Sequence, residues 1–268
     1  MHQQQTMHFK NIKQPTPPFV ERILSLVWKF SPRKGPVLDA LLSRRLSYLK
    51  HLPERNPNEC IPLFDTTCVV IQQCPLGAWS TPLVDVVVLA KCAIGFESAR
   101  ILELGSYLGH TAKLLAENTK PNVKITTLDE YADHGTAYRG TSLENKIDRR
   151  IGKVSLEHFN TDEKYDLIFV DANHHFNPVL NDTEVAFRLL SERGVVVWHD
   201  YQQTNHFGKS NQVPEALKVL SSYVPIISIA GTWLAMHSRH PGWETAVLLK
   251  RTIPQISDDP WNDKALRG

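Results

Sequence analysis

Three short apolar runs, each stopped abruptly by glycine or a charged residue, constrain this chain more than any other feature. Arg100–Leu104 ends at Gly105, Leu167–Val170 ends at Asp171, and Gly194–Trp198 ends at His199-Asp200. A short continuous apolar run suits a strand buried on both faces, which is the habit of parallel sheets. Thr67–Gln72, Lys124–Leu128, Ile226–Ala230 and Ala246–Leu249 read as further strands. Between the runs, Thr111–Asn118, Leu180–Leu190 and Pro214–Leu220 read as helices, the last with Pro in its first turn. Strands alternating with helices imply βαβ units. The spacing therefore predicts an α/β fold, a Rossmann-like, doubly wound and mainly parallel seven-stranded sheet.

Upstream the rhythm differs. Residues 1–18, rich in Gln and Pro, read as a flexible arm, and residues 19–75 as an N-terminal helical extension or cap. Phe19–Phe30 and Val37–Leu49 are amphipathic, and the helices of residues 19–60 close with the polar stretch Pro53–Pro57. Leu83–Ile94 reads as a buried helix, with Thr81 as N-cap and Pro82 as its first residue. Residues 76–252 then form the main domain and residues 253–268 a tail. A net charge of +2 gives no basis for a nucleic-acid partner. Cys60, Cys68, Cys74 and Cys92 have no C-x-x-C spacing and read as reduced thiols. No run approaches the roughly 20 apolar residues of a transmembrane helix. The first residues lack the apolar core of a signal peptide, so the expected compartment is the cytoplasm.

In open parallel sheets, ligands bind beyond the carboxyl ends of the strands, at the point where strand order reverses. The first run leads into Glu103-Leu-Gly-Ser-Tyr-Leu-Gly109 and then a helix. Glycines let the backbone approach a ligand closely, and helix N–H groups can meet an anion. The spacing is G-x-x-x-G, not the G-x-G-x-x-G of dinucleotide folds. Asp129, followed by Glu130, lies 129 − 105 = 24 residues past Gly105. An acid about 20 residues past the first glycine is placed to bond ribose hydroxyls. Loop and acid together point to a nucleotide-like cofactor. Asp171, His174, His199 and Asp200 follow two other strands, and carboxylates with imidazole there suit a divalent ion or proton transfer. The structural alternatives are a turn cap for Asp171, a buried hydrogen-bonded role for His199 and an N-cap for Asp200.

Ile101-Leu-Glu-Leu-Gly-Ser-Tyr-Leu-Gly109 resembles the first motif of class I S-adenosylmethionine-dependent methyltransferases, and Tyr165-Asp-Leu-Ile-Phe-Val-Asp171 resembles their fourth-strand motif. Asp171-Ala-Asn-His174-His-Phe176, then Asp182, then Gly194-Val-Val-Val-Trp-His-Asp-Tyr201 is similar to a narrower series. That series belongs to the bacterial macrocin O-methyltransferase and cephalosporin-hydroxylase-like group. The resemblance covers about residues 75–250. It implies that Glu103, Gly105, Ser106 and Gly109 line the methionine end of S-adenosylmethionine. Asp129, with Glu130 beside it, would hold the ribose, and Asp171 would border the cofactor. It further implies a divalent metal, Mg or Mn, at Asp171, His199 and Asp200. His199 stands where the group has an acid, and imidazole is a poor magnesium ligand. His174 or His199 is therefore the alternative proton acceptor, alongside Asp171 as catalytic residues. Ala172, Phe176 and Arg193 also depart from the group's usual Gly, Tyr and Gly.

The implied activity is O-methylation of a small-molecule, sugar or natural-product hydroxyl. Two rivals stand beside it: a NAD-dependent oxidoreductase, and a non-methylating protein that binds the same cofactor. The first is opposed by the glycine spacing and the lack of a Tyr-x-x-x-Lys pair near the site. Acceptor contacts are expected from the N-terminal helices, from Tyr131–Asn145, and from Trp233, Trp243 and His237–His240. The N-terminal helices would pack on the sheet domain or on a second subunit of a homo-oligomer.

Overall fold

The computed structural model describes residues 52–73, 80–160, 162–201, 211–241 and 243. The expected arm, the helices of 19–51, the strand 246–249, the tail and Cys74 lie outside the described residues. The described chain forms a Rossmann-like α/β fold around one mostly parallel sheet. Its strands are β1 (Glu54–Arg55), β2 (Arg100–Leu104), β3 (Lys124–Asp129), β4 (Ile147–Ile151), β5 (Tyr165–Val170), β6 (Leu190–Trp198), β7 (Ile227–Ile229) and β8 (Ala235–Ser238). The helices are α1 (Pro57–Cys60), α2 (Leu83–Gly95), α3 (His110–Asn118), α4 (Phe176–Leu189) and α5 (Val213–Leu220).

The strand order is β1-β7-β8-β6-β5-β2-β3-β4, eight strands rather than the seven expected. β8 runs antiparallel to both its neighbours, β6 and β7, and the other pairs are parallel. Four strand assignments differ from the sequence reading. Thr67–Gln72 forms no strand, whereas Glu54–Arg55, Ile147–Ile151 and Ala235–Ser238 do. β1 and β4 are the outer strands of the sheet, and their polar sequences follow from having a side to expose. β8 is buried but carries His237 and Ser238, which break the apolar pattern.

Side chains alternate across the sheet with the period of two that a strand imposes. Ile101 and Phe169 pack on one side with Leu89 and Cys92 of α2 and Leu115 of α3. Leu102, Leu104 and Ile168 pack on the other with Leu180 and Leu189 of α4 and Leu217 of α5. Both faces are thus covered by helices, which is why the central strands read as uninterrupted apolar runs.

Register then decides where the polar residues go. Leu104 is level with Leu128 and with Val170, and Val170 is level with Trp198. The residues that follow, Gly105, Asp129, Asp171 and His199, therefore emerge along one edge of the sheet. β2 has β3 on one side and β5 on the other, so the order reverses there, at the switch point where such sheets hold ligands. No helix among the described residues is long and apolar enough to cross a membrane.

Candidate active site

The loop from β2 to α3 is built around glycine conformations. Gly105 has φ +87°, and a Cβ there would lie 2.2 Å from the carbonyl oxygen of Asp171. Gly109, the N-cap of α3, has φ +81°, and its Cβ would lie 2.6 Å from the Tyr138 ring. Only glycine adopts such backbone freely while leaving room for its neighbours. Asp129 shapes the same loop: its Oδ2 accepts the amides of Ser106 and Tyr107 at 2.7 Å each, and its Oδ1 accepts that of Tyr131 at 2.8 Å. The carboxylate stands at the expected strand end with loop amides for partners, and Glu130 beside it is exposed.

Glu103 is buried in the preceding strand, and burial pushes its carboxyl up to about 8. Its Oε2 and the Ser106 hydroxyl are buried without a hydrogen-bond partner among the described residues. Such atoms are costly unless a partner arrives. They suit a ligand that brings polar partners of its own. Because Asp129 holds the loop in its turn, Asp129→Ala should weaken S-adenosylhomocysteine binding by more than about 1 kcal/mol, the scale of a charge-assisted hydrogen bond. Calorimetry checks this, and an unchanged dissociation constant would show that the loop holds its shape unaided.

The segment after Asp129 braces the loop. Gly135 and Ala137 donate their amides to the carbonyls of Tyr107 and Leu108, each at 2.8 Å. Behind them, buried His134 and Tyr138 both contact the Thr127 hydroxyl, at 3.3 and 3.2 Å. This part of Tyr131–Asn145 supports the glycine loop, while the Tyr107 and Tyr131 rings, 6.1 Å apart, stay exposed at its rim.

Beside the loop lies a cluster of charged side chains. His174 Nε2 is 2.9 Å from Asp200 Oδ2 and 3.6 Å from Asp171 Oδ1. His199 Nδ1 is 3.2 Å from both Asp171 Oδ1 and Asp200 Oδ1. His174 Nε2 and Asp200 Oδ1 have no directed hydrogen bond, so their close approaches are charge contacts rather than hydrogen bonds. Burial works against the charge on each group, and the opposite charges outweigh it. His174 rises to about 9 under Asp171 and Asp200, and His199 lies well above the usual histidine range under Asp171, Asp200 and Asp85. Asp171 and Asp200 are held below the usual carboxylate range by the two histidines. Asp200 adopts φ +61°, a strained setting for a non-glycine residue, and the buried Asn211 side chain donates to its carbonyl at 2.8 Å.

The structure brings together all the residues expected at this mouth, with one change in grouping. One ligand atom each from Asp171, His174 and Asp200 falls within 4.8 Å of the others. His199 keeps Nδ1 against Asp171 and Asp200, as grouped from the sequence, and turns Nε2 to Asp85, 3.1 Å from its Oδ2. Thr81 does not cap α2, whose N-cap is Pro82 with no side-chain bond. Its hydroxyl instead donates to Asp171 Oδ2 at 3.4 Å. Trp233 borders the site, its ring 6.0 Å from that of His199. Trp243 and His237 are buried in the core, His237 against Phe187.

Sequence reasoning missed Asp85 and, of the two supports of the His174 loop, Gln212; Asp182 entered only as part of a motif. Gln212 donates its amide to the His174 carbonyl at 2.7 Å and accepts that of Phe176 at 2.8 Å. Asp182 accepts the Asn173 amide, and its burial raises its carboxyl to about 7. The signal for Asp85 was present, since a lone acid within Leu-Val-Asp-Val-Val-Val-Leu lies on a buried helix and must be paired there.

The described residues thus form a Rossmann-like, mostly parallel sheet with a G-x-x-x-G loop, a following acid and a charged mouth at its switch point. Residues 102–201 match the family described as "Methyltransferase domain". Among solved structures, the chain is similar to the O-methyltransferase from Bacillus cereus in complex with SAH, at 16% identity, covering 80% of this chain and 95% of that one, with a TM-score of 0.48. It is also similar to the O-methyltransferase TomG from Streptomyces achromogenes, involved in tomaymycin synthesis and in complex with SAM, at 14% identity, 84% and 97% coverage and a TM-score of 0.48. No curated protein matches the chain.

Proposed function

We propose that the chain transfers a methyl group from S-adenosylmethionine to a hydroxyl of a small-molecule acceptor. The observation that carries this reading is the contact between the two halves of the site. The absent Cβ of Gly105 would lie 2.2 Å from the Asp171 carbonyl oxygen, so the donor loop abuts the charged cluster. Bound at the loop, the sulfonium supplies an electrophilic methyl group. Glu103, Ser106 and the Gly105–Gly109 backbone would hold its methionine end, with Asp129 setting the loop.

The leaving group of such a transfer is neutral, so the protein's work is to position the acceptor and accept its proton. His174, at 26% exposure, reaches solvent, whereas His199 at 6% is enclosed. His174 is therefore the histidine nearer an incoming acceptor, and with a pKa of about 9 it takes up a proton only above that pH or once an ion held by Asp171 and Asp200 has displaced its own. Asp171, His174 and Asp200 would hold a divalent ion, and two carboxylates with one imidazole suit manganese better than magnesium. Such an ion lowers the pKa of a bound hydroxyl. The series Asp171, Asp182, His199-Asp200-Tyr201 supports kinship with the macrocin O-methyltransferase group.

The test is turnover of the donor to S-adenosylhomocysteine with a panel of hydroxyl acceptors. EDTA should stop it and manganese or magnesium restore it. Turnover indifferent to EDTA but lost in His174→Ala would replace the ion with histidine as sole proton acceptor. Tight NAD binding with no response to S-adenosylhomocysteine would overturn the reading altogether.

A further inference from the structure

Two adjacent residues at the start of α5, Asn211 and Gln212, reach back to both loops of the charged mouth. Asn211 is buried, at 0% exposure. Its Nδ2 donates to the Asp200 carbonyl at 2.8 Å, and its Oδ1 accepts the Val213 amide at 3.0 Å. A carbonyl only accepts and an amide N–H only donates, so these two partners leave the carboxamide one orientation. The carbonyl it holds belongs to the residue at φ +61°, a backbone setting that persists only where the surroundings impose it. Gln212, the N-cap of α5, holds the other loop at two points. Its amide donates to the His174 carbonyl at 2.7 Å, and its Oε1 accepts the Phe176 amide at 2.8 Å. Phe176 opens α4, where a helix leaves its N–H groups without intrahelical partners, and the N-cap His175 supplies no side-chain bond. The side chains that the two loops carry meet at the mouth, His174 Nε2 lying 2.9 Å from Asp200 Oδ2.

Capping the two helices accounts for only half of these bonds. The Val213 bond serves α5 and the Phe176 bond serves α4. The other two run to Asp200 and His174, the residues whose side chains form the cluster, one from each loop. We propose that Asn211 and Gln212 are positioning residues that staple the loop after β5 to the loop after β6 and so set the spacing of His174 and Asp200. Their effect on turnover rests on the methyl-transfer reading; their effect on the loops does not. Each side-chain bond can be removed singly. Asn211→Ser keeps an oxygen for the Val213 amide, as hydroxyls do in turns, but is too short to reach the Asp200 carbonyl. Gln212→Leu removes the acceptor that faces Phe176, and Gln212→Glu keeps it.

The experiment is amide hydrogen exchange of the full chain, read by NMR, with single-turnover methyl transfer on the same proteins. In the native chain the Phe176 amide should exchange slowly, as an interior helix amide does, although it stands first in its helix. Gln212→Leu should speed that exchange about 5- to 10-fold, the equilibrium shift of one hydrogen bond, and Gln212→Glu should leave it near native. Asn211→Ser and Gln212→Leu should each lower methyl transfer about 10- to 100-fold, the range for outer-shell partners of site residues, while Gln212→Glu keeps most of it. S-adenosylhomocysteine affinity should stay within about twofold of native in all three, because the bonds from the glycine loop to Asp129 are untouched. A native Phe176 amide that exchanges as fast as an unprotected one overturns the proposal, even if no variant folds. Native exchange in Gln212→Leu, or native turnover in either disrupted variant, overturns it as well. So does a loss of S-adenosylhomocysteine affinity in step with turnover, which marks the two residues as general supports. If the chain transfers no methyl group while the exchange changes as stated, the functional reading fails and the staple stands.

Discussion

Asp171→Ala should reduce methyl transfer by at least about 100-fold, the low end for a group that manages the proton in the reaction, while S-adenosylhomocysteine still binds. Three side chains converge on this carboxylate: Thr81 at 3.4 Å, His174 at 3.6 Å and His199 at 3.2 Å. Removing it leaves half-buried His174 and buried His199 sharing Asp200, and poorly compensated charge in such a site is expensive. The backbone of Asp171 is held independently, through its amide to the Leu104 carbonyl at 2.8 Å. The loop against Gly105 should therefore survive, which separates catalysis from binding. Single-turnover measurement at saturating donor, with calorimetry on the same protein, checks both halves. A variant keeping more than about a tenth of native turnover would remove Asp171 from the reaction centre, since the proton-transfer contribution exceeds that margin.

Gly105→Ala should abolish measurable cofactor binding. Two costs add. A non-glycine residue at φ +87° is strained by about 1–3 kcal/mol. The new methyl group would also fall 2.2 Å from the Asp171 oxygen and 2.5 Å from its carbonyl carbon. These are backbone atoms anchored between β5 and α4, so the clash is relieved only by shifting the loop or the catalytic segment. Gly140→Ala is the control. Its φ is +73°, but nothing lies within 4 Å of the added Cβ, so it bears strain without collision. Gly105→Ala should lose at least about 100-fold in affinity, two steps of 1.4 kcal/mol, and Gly140→Ala should bind S-adenosylhomocysteine as the native chain does. Equal behaviour of the two variants would mean that backbone strain, not the fit against Asp171, governs the loop.

The central strands were legible because burial on both faces leaves a mark on consecutive residues. Arg100–Leu104 occupies the range its composition indicates, and β3, β5 and β6 extend the expected runs by one to a few residues. β4, Ile-Asp-Arg-Arg-Ile, was not legible, because an edge strand needs only one apolar face and borrows stability from its neighbour. Thr67–Gln72 illustrates the converse: β-branched composition without a partner strand produces a loop. At the mouth, the residue types following each strand were legible and their pairings were not. Asp129 was read as a ribose ligand from its place after β3, and its hold on three loop amides was not legible.

Local sequence by itself determined the α/β class, the central strands and the polar residues that leave them, because each is encoded within a few consecutive positions. Tertiary structure alone decided which of those residues meet. Register brings Gly105, Asp129, Asp171 and His199 to one edge, and the packing of α2 sets Asp85 against His199 across 114 residues of chain. It also turned His199 toward Asp85 and put His174 beside Asp171 and Asp200. A side chain's type follows from its own position, but its partner depends on how separate elements pack, and no local pattern carries that information.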